Sequence, residues 1–163
     1  MKRLLALLLS VISCCAQAVP EGAPEVYEYT ENACYMYPRY YYKVDTGEDG
    51  VQRLYYSQDT NEISIIRLKD DILSQIGAIA AENKLHRLKE SYTPVMQVLD
   101  GYTWHLEIKY SDAKIYSTGQ NARPKQSQRD AIDTINNLLQ SIADAATEGD
   151  IIGQALHYER NSE

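Results

Sequence analysis

The sequence predicts an α+β domain: an antiparallel sheet of about five to six strands with two amphipathic helices packed on one face. Three observations lead there. One segment alternates without a break, with Trp104, Leu106, Ile108 and Tyr110 against Thr103, His105, Glu107 and Lys109, which is a strand with one dry and one wet face. Another repeats Ile132, Ile135, Leu139, Ile142 and Ala146 at steps of three and four, the spacing of a helix with one apolar stripe. A third, from Arg39 to Leu68, holds three β-rich runs separated by polar turns. Burying both helix stripes against one sheet face satisfies all three at once.

The first 18 residues stand apart. Lys2 and Arg3 precede an apolar run from Leu4 to Ile12, and Ala16-Gln17-Ala18 supplies the small-x-small pattern of a signal peptidase site. The run is too short to span about 30 Å of hydrocarbon, which takes about 20 residues. An export signal is therefore expected, with a periplasmic or extracellular destination. Val11-Ile12-Ser13-Cys14 also resembles a bacterial lipobox, in which Cys14 would be lipidated and would anchor the chain to a membrane. Cleavage after Ala18 leaves Cys34 as the one remaining thiol, whereas cleavage before Cys14 leaves Cys15 and Cys34 free to pair. On either route, loss of Lys2 and Arg3 takes the formal charge from −7 to −9. There is no Asn-x-Ser/Thr sequon.

The remaining elements follow in order. Residues 19–38, with Pro20, Gly22, Pro24 and several glutamates, read as a solvated lead-in holding a short strand at Val26–Thr30. A single domain is expected over 39–148. It opens with Tyr40–Val44 and Val51–Tyr56 as a hairpin around Asp45–Gly50, then a strand from Glu62 to Leu68. Asp70 and Asp71 start a helix carrying Ile72, Ile76, Ile79 and Ala80, with Lys84, Arg87 and Lys89 suited to its end. After the Trp104 strand and a turn at Ser111–Ala113, Lys114–Thr118 returns. Pro124, Ser127 and Asp130 then mark the start of the second helix. Residues 149–163 read as a tail or a short helix.

Length and charge narrow the function. The 163 residues suit one domain, and 23 acidic against 16 basic residues disfavour a nucleic-acid partner, which would need a basic stripe. No cofactor motif is present. His86, His105 and His157 show no ligand spacing, so no metal is expected. Asp45–Gly50 lacks the oxygen ligands of a calcium loop, with Gly47 third and Tyr56 in the place of the bidentate Glu. Ser111-x-x-Lys114 falls on a turn, where the Lys cannot reach back to the Ser as it would on a helix.

Asp100-Gly101-x-x-Trp104-x-Leu106-x-Ile108-x-Tyr110, followed by Ser117-x-Gly119-x-Asn121-x-x-Pro124, resembles a group of small exported bacterial domains of unknown function. The similarity covers roughly residues 40 to 146, with Ala113 replacing the Gly of a tight turn. The resemblance implies an α+β architecture and an exported location, and it implies no catalytic residue. Gly119, Asn121 and Pro124 are expected to shape the passage into the second helix, with an anion site using Arg123 and Lys125 as the competing role. Trp104, Leu106 and Ile108 are expected to lie under Ile132, Ile135 and Leu139.

The compositional anomaly is tyrosine. There are 14, with no Phe, and nine fall between Tyr27 and Tyr56. Alternation forces Tyr41 to the opposite side from Tyr40 and Tyr42, and Tyr55 opposite Tyr56. Some of these rings must therefore face away from the helices, where Tyr gives contact area at low entropic cost. The expected function is a non-enzymatic exported module of the bacterial envelope or secretome. It would bind a protein or glycan through a surface of Tyr40, Tyr41, Tyr42, Tyr55 and Tyr56. The alternative is an envelope hydrolase, which would need two carboxyl groups in one cleft.

Overall fold

The computed structural model describes residues 19–20, 22–33, 37–96 and 101–158. The segment read as an export signal, with Cys14 and Cys15, and also Cys34, lie outside the described residues. The protein is α+β. Its strands are β1 (Val26–Asn32), β2 (Tyr40–Thr46), β3 (Gln52–Gln58), β4 (Glu62–Arg67), β5 (Ser91–Tyr92), β6 (Thr103–Lys109), β7 (Lys114–Gln120) and β8 (Ile151–Leu156). The helices α1 (Ile72–Glu82) and α2 (Gln126–Ala145) supply the second layer.

The expected antiparallel sheet of five to six strands is corrected to a mixed sheet of eight, in the order β5-β7-β6-β1-β2-β3-β4-β8. Among the described residues, β5 and β7 form its one parallel pair. The extra strands come from segments whose pattern is weak. β1, within the stretch read as a lead-in, sits at the centre between β2 and β6. Its inward side chains are Tyr27, Tyr29 and Glu31, too polar for an apolar-alternation test, yet all three are buried. β5 is only two residues long. β8 arises in the stretch read as a tail, and its residues are mostly exposed, so it carries no in-out alternation to read.

Register fixes which side chains meet. Tyr27 lies opposite Val44 and Ile108, Tyr29 opposite Tyr42 and Leu106, and Glu31 opposite Tyr40 and Trp104. These face the helices. Trp104, Leu106, Ile108, Ile132, Ile135 and Leu139 belong to one buried cluster, together with Leu54, Ile76 and Leu85. The opposite sheet face is covered by neither helix.

The joints are specific. Asp71 caps α1 by accepting from Ser74 N at 3.0 Å. Gln52 of β3 completes the cap, its amide oxygen accepting from Ile72 N and Leu73 N at 2.9 and 3.1 Å. α1 ends at Glu82, earlier than its basic residues suggested. Lys84 takes the left-handed conformation at φ +54° and a 3₁₀ turn, Leu85–Arg87, follows. The hairpin turn closes through Gly50 at φ +76°, with Gly50 N donating to Gly47 O at 2.9 Å.

The passage into α2 is built on Asn121 at φ +50°. Its side chain accepts from Tyr102 N at 2.9 Å, and its own N–H donates to Tyr102 O at 2.9 Å. Gly119 has to be glycine, because a Cβ there would strike the Trp104 indole and Ala122 O, which the indole N–H reaches at 2.7 Å.

Candidate functional site

A cleft of about 690 Å³ opens between α2 and the Tyr-rich strands. β1 contributes Tyr29 and Glu31, β2 contributes Tyr40 and Tyr42, and β3 contributes Gln58. From α2 come Arg129, Asp133, Asn136, Asn137 and Gln140, and Arg123 enters from the preceding loop. The α2 positions step by four, three, one and three, so they form one stripe along the helix. It runs beside the buried stripe of Ile132, Ile135 and Leu139. The helix thus turns one flank into the core and an adjacent, all-polar flank over the tyrosines.

Two hydrogen-bonded networks line the floor. In the first, Glu31 is buried and accepts at one oxygen, Oε2, from the Tyr29 hydroxyl at 2.9 Å and from Arg123 at 2.7 Å. The Arg123 guanidinium also lies 4.6 Å over the Tyr102 ring. In the second, the Tyr42 hydroxyl donates to Gln140 Oε1 at 2.9 Å, and Gln140 Nε2 donates to the Tyr56 hydroxyl at 2.8 Å. Tyr56 in turn donates to Gln58 Oε1 at 2.9 Å. Below them the fully buried Tyr27 donates to Asn136 Oδ1 at 2.6 Å. Burial pushes the Tyr27, Tyr29 and Tyr42 hydroxyls above the usual phenol range, so all three remain protonated donors.

The rings form a continuous bed. Tyr40 and Tyr42 stack at 6.3 Å with 10° between their planes, and Tyr42 meets Tyr56 at 5.7 Å and Tyr29 at 6.4 Å. Above this bed, the Tyr40 hydroxyl, the Asp133 carboxyl and the Asn137 amide line the cleft without a hydrogen bond to another described residue. Desolvation raises the Asp133 carboxyl above the usual carboxylate range.

The five tyrosines singled out from sequence divide between two faces. Tyr40, Tyr42 and Tyr56 turn toward α2, while Tyr41 and Tyr55 lie on the uncovered face. There Tyr41 meets the His157 ring edge-on at 5.1 Å, and Lys43 sits 4.8 Å over Tyr55. The sheet's pleat forbids one surface holding all five. Arg123, named for an anion site, is instead committed to Glu31, and Lys125 is the residue preceding α2.

Sequence reasoning passed over Glu31 and the α2 flank. A polar stripe at helical spacing is the ordinary signature of a solvated face, and nothing local reveals that tyrosines lie beneath it. The fold also joins Ser57 to His157, Oγ to Nε2 at 2.7 Å. Ser57 is 2% exposed, and no carboxylate bonds the imidazole among the described residues, so this pair lacks the access and the third member of a nucleophilic triad. No cluster of three or more His, Cys, Asp or Glu side chains suited to a metal occurs among the described residues. No family model matches the chain, and no curated protein matches it.

Proposed function

We propose that this protein is an exported, non-enzymatic binding module whose cleft between α2 and the tyrosine bed holds a neutral glycan. The observation that carries the reading is the set above the bed that bonds to no other described residue: the Tyr40 hydroxyl, the Asp133 carboxyl and the Asn137 amide. A sugar ring offers an apolar C–H face and a rim of hydroxyls that both donate and accept. Stacked phenol rings suit the face, and carboxylate and amide groups suit the rim. The cleft's formal charges also cancel, with Arg123 and Arg129 against Glu31 and Asp133, which favours a neutral ligand. The uncovered face, with Tyr41 and Tyr55, is the place for a protein partner in the other form of this reading.

The test is titration calorimetry of the purified protein against neutral α- and β-linked gluco-oligosaccharides and their N-acetylated counterparts. At least one class should bind, and Asn137→Ala and Tyr40→Phe, which keeps the ring in the bed and removes only its hydroxyl, should each weaken it at least tenfold with an unchanged melting temperature. Absence of binding across the panel, or full affinity in both variants, refutes the reading.

The hydrolase alternative gains one supporting observation, since Glu31 and Asp133 line the same cleft and burial raises the Asp133 carboxyl. Against it, Glu31 is already bound by Arg123 and Tyr29, which suits a structural anion better than a nucleophile or base. Release of shorter saccharides by the wild type, lost in Asp133→Asn, would decide for the enzyme.

A further inference from the structure

We infer that β8 is a self-association edge, pairing antiparallel with β8 of a second copy about a two-fold axis at Gln154. One end of the sheet is the two-residue β5, a length too short to template another strand. The other is β8, six residues long, with no strand on its outer side among the described residues. It has no charged residue and no proline, the usual guards of an open edge. Its one irregularity, a bulge opposite Ile65/Ile66, lies at its beginning and leaves Gly153 to Leu156 regular. The flanking Asp150 is tied to Lys69 at 2.8 Å and to Thr147 at 2.7 Å, so its charge is met within the chain.

The apolar surface points to the same place. Of the seven large hydrophobic residues that are exposed among the described residues, Ile151, Ile152, Leu156 and Tyr158 belong to this strand and its extension. The pairing of Glu62 with Leu156, Ser64 with Gln154 and Ile66 with Ile151 puts Leu156, Gln154 and Ile151 on the helix side of the sheet. That side continues into an open cavity of about 180 Å³ lined by Ile66, Ile142 and Ala146 under the end of α2.

The occupant follows from symmetry. In an antiparallel pair, directly opposite residues share a face, so a strand meeting its own copy must be centred on a residue. Centring on Gln154 sets Gly153 opposite Ala155, twice over, within the regular stretch, and brings Leu156 against the bulged Ile151–Ile152 of the partner at each end. The exposed apolar residues are then each other's cover, and two amides meet on the axis. A molecule of formal charge −7 approaches its like most cheaply along a strand that carries no charge of its own, as β8 does. A single strand edge buries less than a standard interface, so the dimer is expected to be reversible.

Sedimentation velocity of the purified protein from about 1 to about 100 μM tests this, with dimer growing over the range. Leu156→Lys removes one apolar pair at each end, and Gln154→Glu places two carboxylates face to face. Both positions are exposed, so both variants should keep the wild-type circular dichroism while remaining monomeric. Val95→Lys, which removes a still more exposed apolar side chain elsewhere, should dimerise as the wild type does. The inference is overturned if the wild type is monomeric throughout, if either β8 variant associates normally, or if Val95→Lys abolishes association too.

Discussion

Replacing Trp104 by alanine probes the joint between the sheet and the entry to α2. The indole is 2% exposed, rests 5.9 Å from the Tyr92 ring, and donates its N–H to Ala122 O at 2.7 Å. Truncating a buried Trp costs about 3–5 kcal/mol, with the upper values where neighbours cannot collapse into the hole. Gly119 lies directly against the indole and has no side chain to move in. The half-buried Ala122 carbonyl also loses its donor, for about 1 kcal/mol at most because water can reach it. A loss of about 4–5 kcal/mol follows, or roughly 10–20 °C in melting temperature for a chain of this size. Urea unfolding followed by far-ultraviolet circular dichroism measures it, because the fluorophore itself is removed. The midpoint should fall with the slope unchanged. A loss below about 1.5 kcal/mol would show that the indole supports neither the core nor the loop.

Other perturbations follow from the same geometry. Gly119→Ala should lower stability while Gly149→Ala, in open surroundings, should not, as thermal melts will show. The Asp133 carboxyl is raised by desolvation, so its ionisation opposes folding. Asp133→Asn should therefore raise the melting temperature at pH 7, with the gain vanishing once pH falls below the unfolded carboxyl range. Asp150 is held well below the usual range, first by its hydrogen bond from Lys69, so its contribution is present at neutral pH and lost on acidification. Asp150→Asn should destabilise at pH 7, and the penalty should shrink steadily as pH falls below the unfolded carboxyl range, without vanishing until the folded-state carboxyl itself is protonated. Burial lowers the His157 imidazole, so the folded state resists its protonation. The protection factors of the β8 amides, measured against the intrinsic exchange rate at each pH, should fall as pH drops below about 6.5, and His157→Gln should flatten that dependence.

Much of the fold was legible in the chain because local physics repeats there. Trp104 to Tyr110 alternates, Ile132 to Leu139 steps by three and four, and Asp71 stands where a helix needs an acceptor. Each signal is carried by neighbours in sequence, so no partner had to be known. Glu31 shows the limit. In sequence it is one of several glutamates near two prolines, and only pairing with β2 and β6 buries it beside Arg123, 92 residues away. The tyrosines show it too. Alternation says that Tyr41 opposes Tyr42, but which of them meets the helices depends on where the whole sheet lays its core. β8 was hidden because an edge strand exposed on both faces has no periodicity to display. The sequence by itself determined the class of the protein, its helices, its clearest strands and the glycine and asparagine of the α2 entry. The tertiary structure alone decided the central place of β1, the open edge at β8, and the cleft. That cleft joins side chains from β1, β2, β3 and α2 whose proximity depends on closing loops of up to about a hundred residues, a long-range condition no local pattern encodes.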